Sequence, residues 1–385
     1  ETYKEATNMK KILATLLVLV MALCCLTPAL AEDTVLIGVS CMETGSMAAG
    51  GLHMKQAITM AFDEINAAGG VLGGKQLEIY LVDDTGNAAG AVTAVNNILS
   101  QDVAMCIGPH TSPMALAAME FYKEAGVPFI SAATSPSLLD QQNEYFFRIS
   151  VSDAAVGEVM VKFAADNFGA KKIAAMYITD DYGKAANNSS KAFAESIGLE
   201  YYSEGMTAED TDVTSQLLKI KDWQPDVVFS FTHDADSALV VRQYNELGLK
   251  DIPFIGPNAL PMPQVLDLVS GEQVSGMYAS TDFFLDLNDT VMKDFRDRYF
   301  ERWGVEPERY AAMYYSAAYL TADAINRAGS TDHEAIREAL AATDGFACVL
   351  GSLKANEHGE LNSTLFILQI DANKECSVAQ KVSLN

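Results

Sequence analysis

The chain predicts an α/β fold of two doubly wound parallel-sheet lobes, on three observations. Apolar runs rich in Val and Ile alternate with segments of helical periodicity. Those runs lack the polar alternation of a half-exposed strand, which suits parallel strands covered on both faces. The alternation also restarts near residues 148–153, where Arg148-Ile149-Ser150-Val151-Ser152-Asp153 runs into a new helix start, and a second series of the same build continues to about residue 280.

Strands are expected at 34–40, 77–82, 104–108, 127–131, 172–179, 226–232, 252–256, 276–280 and 364–370. Helical spacing occupies 52–68, 88–100, 113–125, 154–168, 184–197, 213–222, 236–247, 290–303, 311–328 and 333–343. Right-handed crossovers place the loops after the strands of each sheet on one edge, so a site is sought there.

Composition narrows the function classes. The 385 residues are 49% hydrophobic and 20% charged, a globular balance. With 51 acidic against 26 basic residues the formal charge is −25, which repels nucleic acid and anionic lipid, so no nucleic-acid partner is expected.

Residues 1–31 read as an upstream extension (1–8) and a signal peptide. Lys10-Lys11 precede an apolar run from Ile12 to Leu26, and Ala29-Leu30-Ala31 supplies the cleavage site. About 15 apolar residues are too few for a membrane span. Cys24 and Cys25 follow the bulky residues Leu23 and Cys24 where a lipid-attachment site needs a small one, so a free periplasmic or secreted protein is expected over a lipid-anchored one. Of the remaining cysteines, Cys41 and Cys106 fall at strand ends, where either a bridge or two buried thiols fits. Cys348 and Cys376 show no metal-ligand spacing, and neither a metal nor a cofactor is expected.

Two strand ends carry the chemistry. Cys106-Ile107-Gly108-Pro109-His110-Thr111-Ser112-Pro113 leads into a helix, with Ser112 as its cap and Pro113 as its first residue. Phe129-Ile130-Ser131-Ala132-Ala133-Thr134-Ser135-Pro136 repeats the pattern. Small residues admit a ligand to the backbone, and free amides at a helix start favour an anion. With the Ser112 and Thr134 hydroxyls, such a site holds a carboxylate without Arg or Lys. The loop after the first strand is rich in Gly and Ala but is neither G-x-G-x-x-G nor a P-loop. Asp83-Asp84-Thr85 reads as a capped strand end. The histidines His53, His110, His233, His333 and His358 are scattered and stand beside no nucleophile motif, so no enzyme is expected.

Taken together, Thr44-Gly45, the run Ala61-Phe62-Asp63-Glu64-Ile65-Asn66-Ala67-Ala68-Gly69-Gly70-Val71-Leu72-Gly73-Gly74, Ile107-Gly108-Pro109, Ser131-Ala132-Ala133-Thr134, Asp180-Asp181-Tyr182-Gly183, Phe254-Ile255-Gly256-Pro257 and Tyr310-Ala311-Ala312 resemble the type I periplasmic substrate-binding proteins of ABC importers, in particular the leucine/isoleucine/valine-binding receptors. The resemblance covers roughly residues 33–370. It implies a three-segment hinge, with residues 32–151 and 282–355 in lobe one and 152–281 and 356–385 in lobe two. It further implies that the ligand's α-carboxylate meets Ser112, Thr134 and nearby amides, among them those around Thr111 and Ala133. The Ala132 carbonyl and Thr134 then serve the α-ammonium, and Tyr182 closes from lobe two.

The sequence departs from that pattern at two positions. Asn258 stands where an acid usually pairs with the ammonium, and the carboxylates of His233-Asp234-Ala235-Asp236 offer a substitute. Gly50 stands where an aromatic residue is common, which implies a wider pocket. The expected function is an extracytoplasmic receptor for a small carboxylate, an amino acid first, acting as a monomer with an ABC permease. Alternatives are a receptor for amides, urea or aromatic acids, a ligand-sensing subunit of a signalling system, or an α/β enzyme using Ser112 or His110.

Overall fold

The computed structural model describes residues 34–361 and 364–384; the expected signal peptide, with Cys24 and Cys25, lies outside them. The first series runs β1 (Thr34–Cys41), α1 (Ala48–Ala67), β2 (Gln76–Asp83), α2 (Ala88–Leu99), β3 (Met105–Ile107), α3 (Ser112–Ala125), β4 (Phe129–Ser131), a 3-10 turn (Pro136–Gln141) and β5 (Phe146–Arg148). The second runs α4 (Asp153–Phe168), β6 (Lys172–Ile178), α5 (Asp181–Ser196), β7 (Glu200–Met206), α6 (Thr214–Trp223), β8 (Val227–Phe231), α7 (Asp234–Glu246), β9 (Phe254–Gly256), the short α8 (Pro263–Leu266) and α9 (Gly271–Val274), and β10 (Tyr278–Thr281). The chain then forms α10 (Thr290–Trp303), α11 (Arg309–Ala328), α12 (His333–Ala341) and the hairpin β11 (Asp344–Cys348) and β12 (Gly351–Lys354), and ends in β13 (Thr364–Ile370) and β14 (Cys376–Ser383).

Two main sheets result. The first has the all-parallel order β2-β1-β3-β4-β5, and the second the order β14-β13-β10-β9-β8-β6-β7. From β10 to β7 the second is parallel, whereas β13 and β14 are antiparallel additions at its edge. Their direction departs from the purely parallel expectation. By then the chain has left this sheet to build α10–α12, and it re-enters from the opposite end. In both sheets the order reverses beside the first strand of the series, between β1 and β3 and between β6 and β8, where doubly wound folds open a crevice at the carboxyl ends of their strands.

Burial explains the assignments. Val35, Ile37 and Val39 of β1, and all of β8 from Val227 to Phe231, are buried. Helix α11 lies along α1, and its inward residues Tyr314, Ala318 and Ile325 join Phe62 and Ile58 in one core. Elements the sequence does not announce are edges or fragments. Strand β7 is half-exposed along most of its length, β14 is largely exposed, and β5 has three residues. An edge strand shows no continuous apolar run.

Cys41 and Cys106 are free thiols. Cys106 pairs with Gly38 across the sheet, three residues from Cys41, and the two side chains pack into cores on opposite faces. A bridge between them would need the strands to move. Cys348 and Cys376 are also free.

Three segments cross between the sheets: 149–152, 282–289 and the stretch after β12. The third is stitched to the end of β5, where the first begins: Arg148 N–H donates to Gly359 O (2.9 Å) and Leu361 N–H to Arg148 O (2.8 Å). The first and second are joined where Val151 N–H donates to Asp282 (3.1 Å).

Candidate functional site

The carboxyl ends of the two sheets face each other across a narrow cleft. From the first sheet come Met47 after β1, His110, Thr111 and Ser112 after β3, and Ala132, Ala133 and Thr134 after β4. From the second come Tyr182 at the start of α5, Thr232, His233 and Asp234 after β8, and Asn258 and Ala259 after β9. Arg309 and Tyr310 enter from the first turn of α11.

The chain turns into the cleft at Gly108, whose φ of +89° suits glycine and whose missing Cβ would lie 2.2 Å from Ser40 O. Helix α3 then begins with Thr111 at its cap position, one residue before the expected Ser112, and no side chain caps its amides. The Ser112 hydroxyl accepts from the amides of Thr134 (3.2 Å) and Ser135 (3.0 Å). That bond corrects the expectation of two equivalent helix starts. The segment after β4 opens a six-residue 3-10 turn, so the amides of Thr134 and Ser135 are satisfied by Ser112 rather than exposed. Of these two strand ends, only the one after β3 contributes an open helix terminus. The Ser112 proton remains free to donate into the cleft, because both of these bonds use its oxygen as acceptor.

Behind this loop Arg148, fully buried, donates to the carbonyls of Thr134 (2.7 Å) and Ser135 (3.2 Å). The Ala132 carbonyl accepts from Ser150 Oγ (2.7 Å) and keeps a second lone pair. Opposite, Asp180 caps α5 by accepting from Gly183 N–H (2.9 Å), and it pairs with His233 Nε2 (2.7 Å). This pair fixes Tyr182, whose ring lies 5.0 Å from the His233 ring. Burial draws the His233 ring down, but the Asp180 bond and charge outweigh it and leave its pKa raised. Burial likewise lifts Asp180, but the His233 partnership holds its carboxyl below its ordinary value.

Of the sequence-selected residues, Ser112, Ala132, Ala133, Thr134, Tyr182, His233, Asp234, Asn258 and Thr111 line the cleft. Gly50 does not. A Cβ there would lie 2.9 Å from the Tyr310 ring, so the space thought to widen the pocket is filled by Tyr310. Asp236 lines an outer groove rather than the cleft. Asp83 accepts from Thr44 Oγ1 (2.6 Å) and Thr85 N–H (2.8 Å), and buried Asp84 accepts from Ser40 Oγ (2.7 Å); both are turn-holding acids.

Sequence reasoning missed Arg309. It is buried in the cleft wall, bound to Asp282 through Nε (2.5 Å) and Nη2 (3.1 Å), with Ser150 Oγ 3.2 Å from Nη2. The Tyr310-Ala311-Ala312 motif starts one residue later, and no local feature says that its helix opens into a cleft. Burial, followed by the nearby Arg309 and His233 charges, keeps His110 well below its ordinary pKa, and its Nδ1 lies 2.8 Å from Tyr314 Oη. Among the described residues no hydrogen bond joins Ser112 to a histidine or carboxylate.

Several buried acids set a pH dependence. Burial pushes Glu308 up to about 8 and Asp153 up to about 7. Between the unfolded value near 4 and these values the native state holds extra protons, so stability falls as pH rises. His233, raised in the fold, acts in the same direction: its contribution is present below the unfolded value and is lost as pH rises through the folded one. His53 and His110, lowered by burial, oppose this only below about pH 6.5. Scanning calorimetry should therefore show a higher Tm at about pH 6.5 than at about pH 8, with a flatter slope in Glu308→Gln. An equal or higher Tm at pH 8 contradicts the assignment.

Comparison with known proteins agrees with this architecture. The chain is 28% identical over 339 residues to the leucine-, isoleucine-, valine-, threonine- and alanine-binding protein of Pseudomonas aeruginosa, covering 87% of this chain and 89% of that protein. The leucine-binding protein LivK of Thermotoga maritima superposes with a TM-score of 0.84 at 25% identity, over 91% of this chain and 99% of that one. The branched-chain amino acid transporter substrate-binding protein LivJ of Streptococcus pneumoniae, solved with isoleucine, gives 0.83 at 28% identity, over 91% and 99%. These are binding proteins rather than enzymes. With a family model matched across residues 34–375, the chain belongs to the periplasmic binding proteins.

Proposed function

We propose that this protein is an exported receptor that closes two lobes, 32–151 with 282–355 and 152–281 with 356–385, on a small amino acid, branched-chain or related, and delivers it as a monomer to an ABC permease. One observation carries the reading. The cleft joins the open amide terminus of α3 and the free Ser112 proton to a wall in which Arg309 is already neutralised by Asp282 and His233 is paired with Asp180. Such a wall suits a ligand that brings its own positive charge beside its carboxylate. The α-carboxylate docks on Ser112, Thr134 and the α3 amides around Thr111, and the Ala132 carbonyl faces the ammonium. Ala133 allows close approach, while Tyr182, His233, Asp234 and Asn258 cover the far side. The relatives named for branched-chain amino acids support the ligand class.

A second reading rests on the neutral Asn258, which favours a ligand without an ammonium group, such as an amide or an aromatic acid. A thermal-shift panel separates the two. L-leucine, L-isoleucine and L-valine should stabilise the fold by about 2.7 kcal/mol at a hundredfold excess over Kd, and benzoate, acetamide and urea should not. Stabilisation by the second set alone overturns the amino-acid reading.

A further inference from the structure

Behind Tyr182 the cleft adjoins a smaller recess, and the two share Tyr182 and Asn258. Asp153, the first residue of α4, lines this recess and is 3% exposed. Its Oδ2 is buried with no hydrogen-bond partner. A carboxylate oxygen in that state is costly unless a donor reaches it. Of the other polar residues lining the recess, Tyr182 and Asn258 stand at its junction with the cleft, and the remaining three are engaged elsewhere. Ser280 Oγ donates to Gly256 O (3.4 Å), Thr281 Oγ1 to Phe283 O (3.2 Å), and Asp282 holds Arg309. The Thr134 side chain is a hydrogen-bonding neighbour that lowers this carboxyl's pKa against the rise from burial, and Oδ2 is left open to a donor brought by the ligand.

Geometry limits what that donor is. Asp153 N–H donates to Thr134 O (2.9 Å), which fastens the acid to the loop that faces the ligand's carboxylate. In an α-amino acid the ammonium and carboxylate are attached to the same carbon, so the ammonium's partner must adjoin the carboxylate site. Asp234, the other acid of the cleft, already accepts from Gln264 Nε2 (3.2 Å). It opens α7, in the half of the cleft that the second sheet supplies.

Building on the amino-acid reading above, we propose that Asp153 is the counter-ion of the ligand's ammonium group, which it receives through Oδ2 at the junction beside Tyr182 and Asn258. The charge absent from position 258 is then supplied from the hinge side of the cleft.

Isothermal titration calorimetry with L-leucine and with 4-methylpentanoate, its analogue without the amino group, tests this. Asp153→Asn should weaken L-leucine by tenfold or more, centred on about a hundredfold, and leave 4-methylpentanoate as strong as in the wild type or stronger. Asp234→Asn should cost L-leucine less than Asp153→Asn does. Asp153→Ser gives the same comparison should the Asn variant fail to fold. A selective L-leucine loss below tenfold, an equal loss of both probes, or a larger loss in Asp234→Asn overturns the proposal. Wild-type protein that ignores L-leucine instead fails the functional reading on which the proposal rests, before any variant is made.

Discussion

The double variant Ser112→Ala with Thr134→Val should abolish the thermal shift that an amino-acid ligand gives the wild type. Each hydroxyl contributes about 1.5–3 kcal/mol when it bonds a charged group. Losing both should cost about 3–6 kcal/mol of binding, on the order of 10²–10⁴ in Kd. Ser112 has a second duty, because its oxygen accepts from the amides of Thr134 and Ser135. Its removal leaves those buried amides unpaired, with a stability cost of about 1–3 kcal/mol before any ligand is added. Calorimetry of the ligand-free variant measures that cost, and titration then measures binding on protein that is still folded. Thr134→Ser restores the hydroxyl in nearly the same place and should recover binding. A double variant that binds as tightly as wild type would remove Ser112 and Thr134 from the site.

Asp282→Ala should destabilise the protein by about 3–5 kcal/mol, the usual consequence of leaving one member of a buried ion pair uncompensated. Arg309 and Asp282 are both almost fully buried, and the carboxylate also accepts from Val151 N–H (3.1 Å). The pair therefore fastens the start of α11 to two of the three crossing segments. Its loss should lower the denaturation midpoint strongly and weaken the ligand as well, because Arg309 forms part of the cleft wall. Arg309→Met with Asp282→Leu, which removes both charges, should be much closer to wild-type stability. A single Asp282→Ala variant within about 1 kcal/mol of wild type would show that the pair is not desolvated as described.

The sequence disclosed the interior best. Strands buried on both faces, such as β1 and β8, show unbroken apolar runs that a reader recognises without a structure. Edge strands β7 and β14 show no such run, since one face needs no apolar cover. The cleft divides in the same way. Residues directly after a strand, such as Ser112, Thr134, His233 and Asn258, are found by asking what the carboxyl edge of a doubly wound sheet presents. Arg309 and Tyr310 open a helix that follows another helix, and only tertiary packing against α1 brings them to the same space. Gly50 misled for a related reason: its small size serves the Tyr310 ring rather than a ligand. The segment after Thr134 looks locally like a helix start. Its six-residue turn and the Ser112 bond to its amides are decided by the neighbouring strand end.

The most direct test is a crystal structure of the protein grown with L-leucine. The carboxylate should lie within hydrogen-bond distance of Ser112 Oγ and the first amides of α3, with the ammonium directed toward Asp153 and Tyr182 closed over the ligand. A ligand seated elsewhere, or bound in this cleft with its carboxylate turned away from Ser112 and Thr134, contradicts this placement.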